Sequence, residues 1–147
     1  MNKAQIYTLI LAIISTISSL GSVAEIVAIM IIKNVPIESG DGLTPQDVQF
    51  LTDTLGAKNG TVAILLTILT VVATVLLYIN VKKLNSGNQV NNVAYYLISA
   101  LALYDGLRMI DMWGDNSSVF SFVVPVIIIL LVFITLNCLD KEKIVTE

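Results

Sequence analysis

Four long apolar segments account for most of the sequence and leave little chain outside them. A helix rises about 1.5 Å per residue, so roughly 20 apolar residues are needed to cross the hydrocarbon core of a bilayer. The segments lie at about 4–32, 61–81, 93–113 and 119–139. Lipid cannot satisfy backbone N–H and C=O groups, so segments of this kind cross as helices. We therefore predict an all-α integral membrane protein with four transmembrane helices in an up-down bundle.

The composition supports a membrane location and argues against several functional classes. Charged residues make up 13% of the 147 residues, whereas about 25% is usual in soluble domains. The net charge is -3 and no basic cluster is present, so we expect no nucleic-acid partner, because binding through phosphates needs clustered cations. Histidine is absent and Cys138 is the single cysteine. We therefore expect no metal, no cofactor and no enzymatic activity, and a single membrane domain over 1–147.

The longest polar stretch, 34–60, carries signals for a short helix. Thr44 fits an N-cap, Pro45 the first helical position and Asp47 the first turn, where a carboxylate is favourable. The apolar residues that follow at helical spacing are Val48, Leu51 and Leu55. We predict an amphipathic helix at about 45–55, lying on the bilayer or over the end of the bundle.

The basic residues predict the orientation of the chain. Four crossings place both termini on one side of the membrane. That side would carry Lys3, Lys82, Lys83, Lys141 and Lys143. The opposite side would carry Lys33, Lys58 and Arg108. Because Lys and Arg are enriched on the cytoplasmic side, we predict a cell-membrane protein with both termini in the cytoplasm and the 34–60 loop outside.

Charged residues also enter the third apolar segment, 93–113. Charge is costly within a bilayer, and where it occurs it usually pairs, lines a cavity or serves a function. On a helix, Arg108 lies within reach of Asp105 and Asp111, each three residues away. Glu25, in the first segment, is expected at a similar depth, roughly 10 Å below the outer end. The predicted intramembrane polar network or ion site comprises Glu25, Tyr104, Asp105, Arg108 and Asp111.

Three interpretations of this network remain open. In the first, it is structural and fixes the register of the helices, so that removing one partner of a buried pair costs about 3–5 kcal/mol. In the second, Glu25 or Asp105 titrates or coordinates a cation. In the third, the charged residues recognise another molecule.

Small hydroxyl residues line one face of each of the first two segments. Such residues allow close approach of helices in lipid and form hydrogen bonds between them. The predicted helix-packing faces comprise Ser15, Ser18 and Ser22 in the first segment and Thr67, Thr70 and Thr74 in the second. We expect the serine face to point into the bundle.

These features lead to three hypotheses about function. The first is a small multi-pass accessory or interaction protein, of regulatory or immunity type, that binds another membrane protein or a second copy of itself within the lipid bilayer. The alternative is a homo-oligomeric channel or small transporter for protons or cations that uses Glu25, Asp105 and Arg108. The third is a holin-like protein that permeabilises the membrane.

Overall fold

The computed structural model describes residues 2–35, 42–56, 60–111 and 120–145, without the side chains of 54–56, 108–111, 120–121 and 142–145. Within these ranges all regular structure is helical, as predicted. The helices are α1 (Lys3–Asn34), α2 (Pro45–Gly56), α3 (Gly60–Asn85), α4 (Val93–Asp111) and α5 (Phe120–Val145).

Three of the described helices are long and apolar enough to cross a membrane. They are Lys3–Asn34, Gly60–Asn85 and, within α5, Phe122–Lys141. The corresponding apolar stretch of α4 is shorter, at Val93–Leu107. The predicted end of the third span, 112–113, and the predicted start of the fourth, 119, lie outside the described residues. The described part of the chain is therefore all-helical, with three candidate membrane spans.

Helices α1, α3, α4 and α5 pack in a closed ring in that order, and α2 packs against α1. The contact between α1 and α3 is the most extensive of these. Gln5 Nε2 donates to Asn85 Oδ1 at 2.9 Å, while further along Ser15 Oγ lies 2.6 Å from Thr74 Oγ1. Residue numbers rise along α1 as they fall along α3, so the two helices run antiparallel.

The core is concentrated at one end of the bundle, here called the closed end, where the N-termini of α1 and α4 meet the C-terminus of α3. The side chains buried there on these helices are Ala4, Gln5, Thr8, Leu11, Ala12, Ser15, Ala73, Thr74, Leu77, Asn80, Ala94, Tyr95 and Ile98. In contrast, α1 residues 16–28 and α4 residues 103–107 include no buried side chain. The part of the bundle around these segments is here called the open end; beyond it, Ile29 of α1 is buried again.

Hydrogen bonds between buried polar groups hold the closed end together. Thr8 Oγ1 donates to the Ala4 carbonyl at 2.8 Å, so its lone pairs are left to accept from the Tyr95 hydroxyl at 2.8 Å. Both residues are fully buried. A buried hydroxyl is costly unless it is hydrogen-bonded, and this contact between α1 and α4 satisfies both.

The connection from α3 to α4 is fixed by a helix cap and by one buried amide. Asn88 N–H donates to the Lys83 carbonyl at 2.9 Å and Gly87 N–H to the Leu84 carbonyl at 3.2 Å. Gly87 has φ +69°, so the end of α3 is a Schellman motif, in which glycine adopts the left-handed conformation without a steric penalty.

The buried amide is that of Asn80, which is 1% exposed. Its Nδ2 donates to the Asn91 carbonyl at 2.8 Å, and its Oδ1 accepts from the Asn91 N–H at 3.1 Å. One side chain therefore satisfies both backbone groups of Asn91 and holds the connection against α3.

We predict that Asn80→Ala destabilises the protein by about 0.5–1.5 kcal/mol for each of the two hydrogen bonds to Asn91 that it removes, because Asn91 is exposed and its backbone groups can bond to water instead. Reversible unfolding in mixed detergent micelles measures this loss. Asn88→Ala, at an exposed position in the same connection, is the matched control and should remain near the wild-type value. Equal stability of the two variants would contradict the assignment.

The N-terminus of α2 is capped by reciprocal bonds between Thr44 and Asp47. The Thr44 hydroxyl and N–H donate to Asp47 Oδ2 at 2.6 and 2.9 Å, and the Asp47 N–H donates to Thr44 Oγ1 at 3.2 Å. Both bonds donated by Thr44 lower the pKa of Asp47 below the ordinary value of 3.8, and the bond from the hydroxyl has the larger effect. Together these bonds form a capping box, with an aspartate in place of the usual glutamate.

We predict that α2 loses this cap in acid. Because the pKa of Asp47 is lower in the folded state, the stabilisation is complete above the unfolded-state pKa and is lost as the pH falls through the folded-state pKa. Amide NMR shifts of Thr44 and Asp47, followed against pH, measure the transition. Asp47→Asn should abolish it, and Thr44→Val should return the pKa of Asp47 toward 3.8. An Asp47 that titrates identically with and without the Thr44 hydroxyl would disprove the cap.

Candidate functional site

A polar cavity of about 60 Å³ lies between α1, α3 and α4. A space of about 10–15 Å³ is enough for one water molecule, so a cavity of this size has room for several. Its lining consists of Ser22, Glu25, Ala63, Leu66, Thr67, Thr70, Leu101 and Asp105. These residues belong mainly to the loosely packed half of the bundle, so the cavity lies toward the open end.

Two carboxylates from different helices share this cavity. Glu25 on α1 is half-buried and Asp105 on α4 is exposed, so the cavity communicates with the surface of the bundle. Both residues take part in further interactions within the protein. Helices α1 and α4 occupy opposite corners of the ring, and the cavity therefore lies near the axis of the bundle.

Three hydroxyl groups complete the polar lining. Each hydroxyl donates to the carbonyl four residues earlier in its own helix. The distances are 3.0 Å for Ser22, 2.9 Å for Thr67 and 2.8 Å for Thr70. Each hydroxyl hydrogen is therefore already in use, and the oxygen is left as an acceptor. The cavity thus offers carboxylate and hydroxyl oxygens, the ligands that hard cations and protonated water prefer.

In the described part of the chain, no group of three or more His, Cys, Asp or Glu side chains is placed to hold a metal ion. Two carboxylates supplemented by neutral hydroxyls better suit a proton or a weakly held cation.

The structure brings together part of the predicted network. Glu25 and Asp105 line one cavity, while Tyr104 is 41% exposed beside Asp105 on α4. The side chains of Arg108 and Asp111 lie outside the described residues. The pairing of Arg108 with the neighbouring carboxylates therefore stays a prediction.

The predicted packing faces meet at one buried contact between α1 and α3. The Thr74 hydroxyl donates to the Thr70 carbonyl at 2.8 Å, so Thr74 accepts from Ser15 in their 2.6 Å hydrogen bond. Ser18 is half-buried on α1. The other members of the two faces, Ser22, Thr67 and Thr70, line the cavity.

Sequence reasoning did not identify three other hydroxyl groups on α1, among them that of Thr16, which lies 3.2 Å from the Tyr78 hydroxyl on α3. Ser19 Oγ lies 3.1 Å from Thr74 Oγ1, and Thr8 makes the buried contact with Tyr95. The spacing of the hydroxyl residues places them on one face of α1. Successive members of this face are seven, four and three residues apart, which is the repeat of a helical face. They are Thr8, Ser15, Ser19 and Ser22. Extending the serine pattern toward the N-terminus would have found Thr8.

Comparison with protein families, with curated proteins and with solved structures found no match to this chain. Its function must therefore be inferred from its own residues.

We predict that Thr74→Val weakens the association of α1 with α3. Hydrogen bonds between membrane helices contribute about 0.6 kcal/mol on average and up to about 1.7, so the loss of stability should fall in this range. Unfolding in mixed micelles measures it. The control is Thr70→Val, which removes a hydroxyl that donates to its own helix and should cost less. A larger loss of stability for Thr70→Val than for Thr74→Val would disprove the interhelical role of Thr74.

Proposed function

We propose that α1, α3, α4 and α5 all span the cell membrane as an up-down four-helix bundle. Both termini are then cytoplasmic, and α2 is an amphipathic helix in the first extracytoplasmic loop. The closed ring of helices supports this arrangement, as does the excess of lysine on the side of the termini, which is typical of the cytoplasmic side. In this placement, the open end faces outward.

Within this bundle, we infer that the cavity binds a proton or a small cation, and that the protein acts as a homo-oligomeric channel or small transporter. The observation that supports this function is the presence of Glu25 and Asp105, from two helices, in one cavity with three hydroxyl oxygens. Carboxylates at membrane depth are costly and mark ion pathways and proton relays. Carboxylates supplied by two helices around one space offer oxygen ligands for a proton or a small cation.

The unequal packing of the bundle supports the same function. Asp105 is exposed, so an ion that reaches it need not disrupt the core. The fully buried contact between Thr8 and Tyr95 closes the opposite end. A complete pathway therefore requires either movement at the closed end or a route between the subunits of an oligomer.

Flux measurements on the purified protein in liposomes test this function. We predict proton or monovalent-cation flux, reduced at least about tenfold by Glu25→Gln and by Asp105→Asn. A loss of about 1.4 kcal/mol in binding of the ion is sufficient for that factor. Asp53→Asn, which removes an exposed carboxylate from α2, should leave the flux unchanged.

Each variant should first be shown by circular dichroism and gel filtration to fold like the wild type. The proposal would be rejected if the wild-type protein showed no flux. It would also be rejected if Glu25→Gln and Asp105→Asn showed the same flux as the control Asp53→Asn.

An accessory protein that binds another membrane protein is the second candidate. Tyr104 favours it, because its side chain is exposed on α4, and a partner helix could shield its hydroxyl from lipid. Recovery of a stoichiometric membrane partner in mild detergent, lost on Tyr104→Ala, would favour this function, particularly if the isolated protein conducts no ions.

A further inference from the structure

Helix α2 leaves its one aromatic residue facing away from the bundle. Val48 and Leu51 are half-buried on the helix that packs against α1. Phe50 is 68% exposed, and at 100° per residue it lies about 160° from Val48 around the helix axis. The apolar stripe of α2 therefore packs against the protein, while Phe50 projects from the opposite face.

That opposite face is acidic. Asp47 and Asp53 are each three residues from Phe50, one on either side, at about 60° of arc. Both are exposed. The sequence of α2, PQDVQFLTDTLG, contains no basic residue. Phe50 is thus an exposed apolar side chain flanked by two carboxylates, here called the Phe50 face.

We propose that the Phe50 face of α2 docks a protein partner that presents an apolar pocket surrounded by basic residues. Aromatic side chains supply much of the binding energy at protein interfaces when they enter such pockets. Complementary charge around the pocket steers the partner and fixes its orientation. This proposal is independent of ion binding at the cavity, which lies between α1, α3 and α4.

The flanking carboxylates argue against two other occupants. Insertion of Phe50 into lipid would carry Asp47 and Asp53 toward the hydrocarbon, and helices that lie in membrane interfaces usually carry Lys and Arg on their polar face. A second copy of the chain, docked through the same face, would bring together two pairs of carboxylates. Like charges opposed in this way are destabilising.

Selection from a display library of random peptides, against the full chain in nanodiscs of neutral lipid, tests the proposal. We expect the enriched peptides to combine an apolar segment with Lys or Arg. Their affinity should fall at least about tenfold for Phe50→Ala, which corresponds to 1.4 kcal/mol. It should also fall for Asp53→Asn and weaken with added salt. Gln49→Ala, at a neighbouring exposed position, should bind as the wild type does.

Three results would overturn the proposal. They are the enrichment of no peptide, the enrichment of neutral or acidic peptides, and binding unaffected by Phe50→Ala. A lipid occupant is tested separately with Phe50→Trp in a Trp113→Phe background. Brominated lipids should leave the fluorescence of this tryptophan unquenched, and quenching would assign the Phe50 face to the membrane.

Discussion

The antiparallel contact between α1 and α3 is the interaction on which the rest of the bundle depends. In lipid, helices associate through close packing and interhelical hydrogen bonds, because the surrounding acyl chains are as apolar as leucine. The contact combines both, with small side chains between the helices and the Ser15–Thr74 hydrogen bond in the middle. It places the N-terminus of α1 beside the C-terminus of α3, which allows Thr8 to meet Tyr95 on α4. The buried core of the closed end therefore depends on this alignment of α1 with α3.

The same two helices form part of the cavity. Beyond Ser15 the hydroxyl face of α1 continues to Ser22 and then to Glu25, and the threonine face of α3 continues to Thr67. Toward the closed end these faces bond to each other, whereas farther along they line an accessible cavity. One sequence pattern therefore serves two purposes, because hydroxyl groups can join helices where they touch and offer acceptor oxygens where they line a cavity.

Sequence alone was sufficient for the helical class and for three segments long enough to cross a membrane, because both follow from length and hydropathy. The helix bounds were harder to predict. Helix α3 extends through Lys82 and Lys83 to Asn85, and α5 extends through the charged residues after Leu139 to Val145. Hydropathy indicates where lipid ends, whereas a helix continues for as long as its backbone hydrogen bonds are satisfied.

The site was predictable only in part, for a related reason. Glu25 and Asp105 stand out as charges in apolar segments, but their shared cavity depends on helices that are distant in sequence. Phe50 was missed because the stripe of Val48 and Leu51 explained the helix by itself. An apolar residue outside such a stripe gains significance only when the packing shows which face of the helix is covered.

The unequal packing of the two ends also has a consequence for motion. Low-energy openings of a protein occur where few side chains are buried, and here that region is the open end. The hydrogen bonds around Tyr95 and Asn80 hold the opposite end of the helices together, so we expect that end to move least. The open-end segments of α1 and α4 are then expected to move more than the buried core. The width of the space between Glu25 and Asp105 would vary accordingly while the core remains intact.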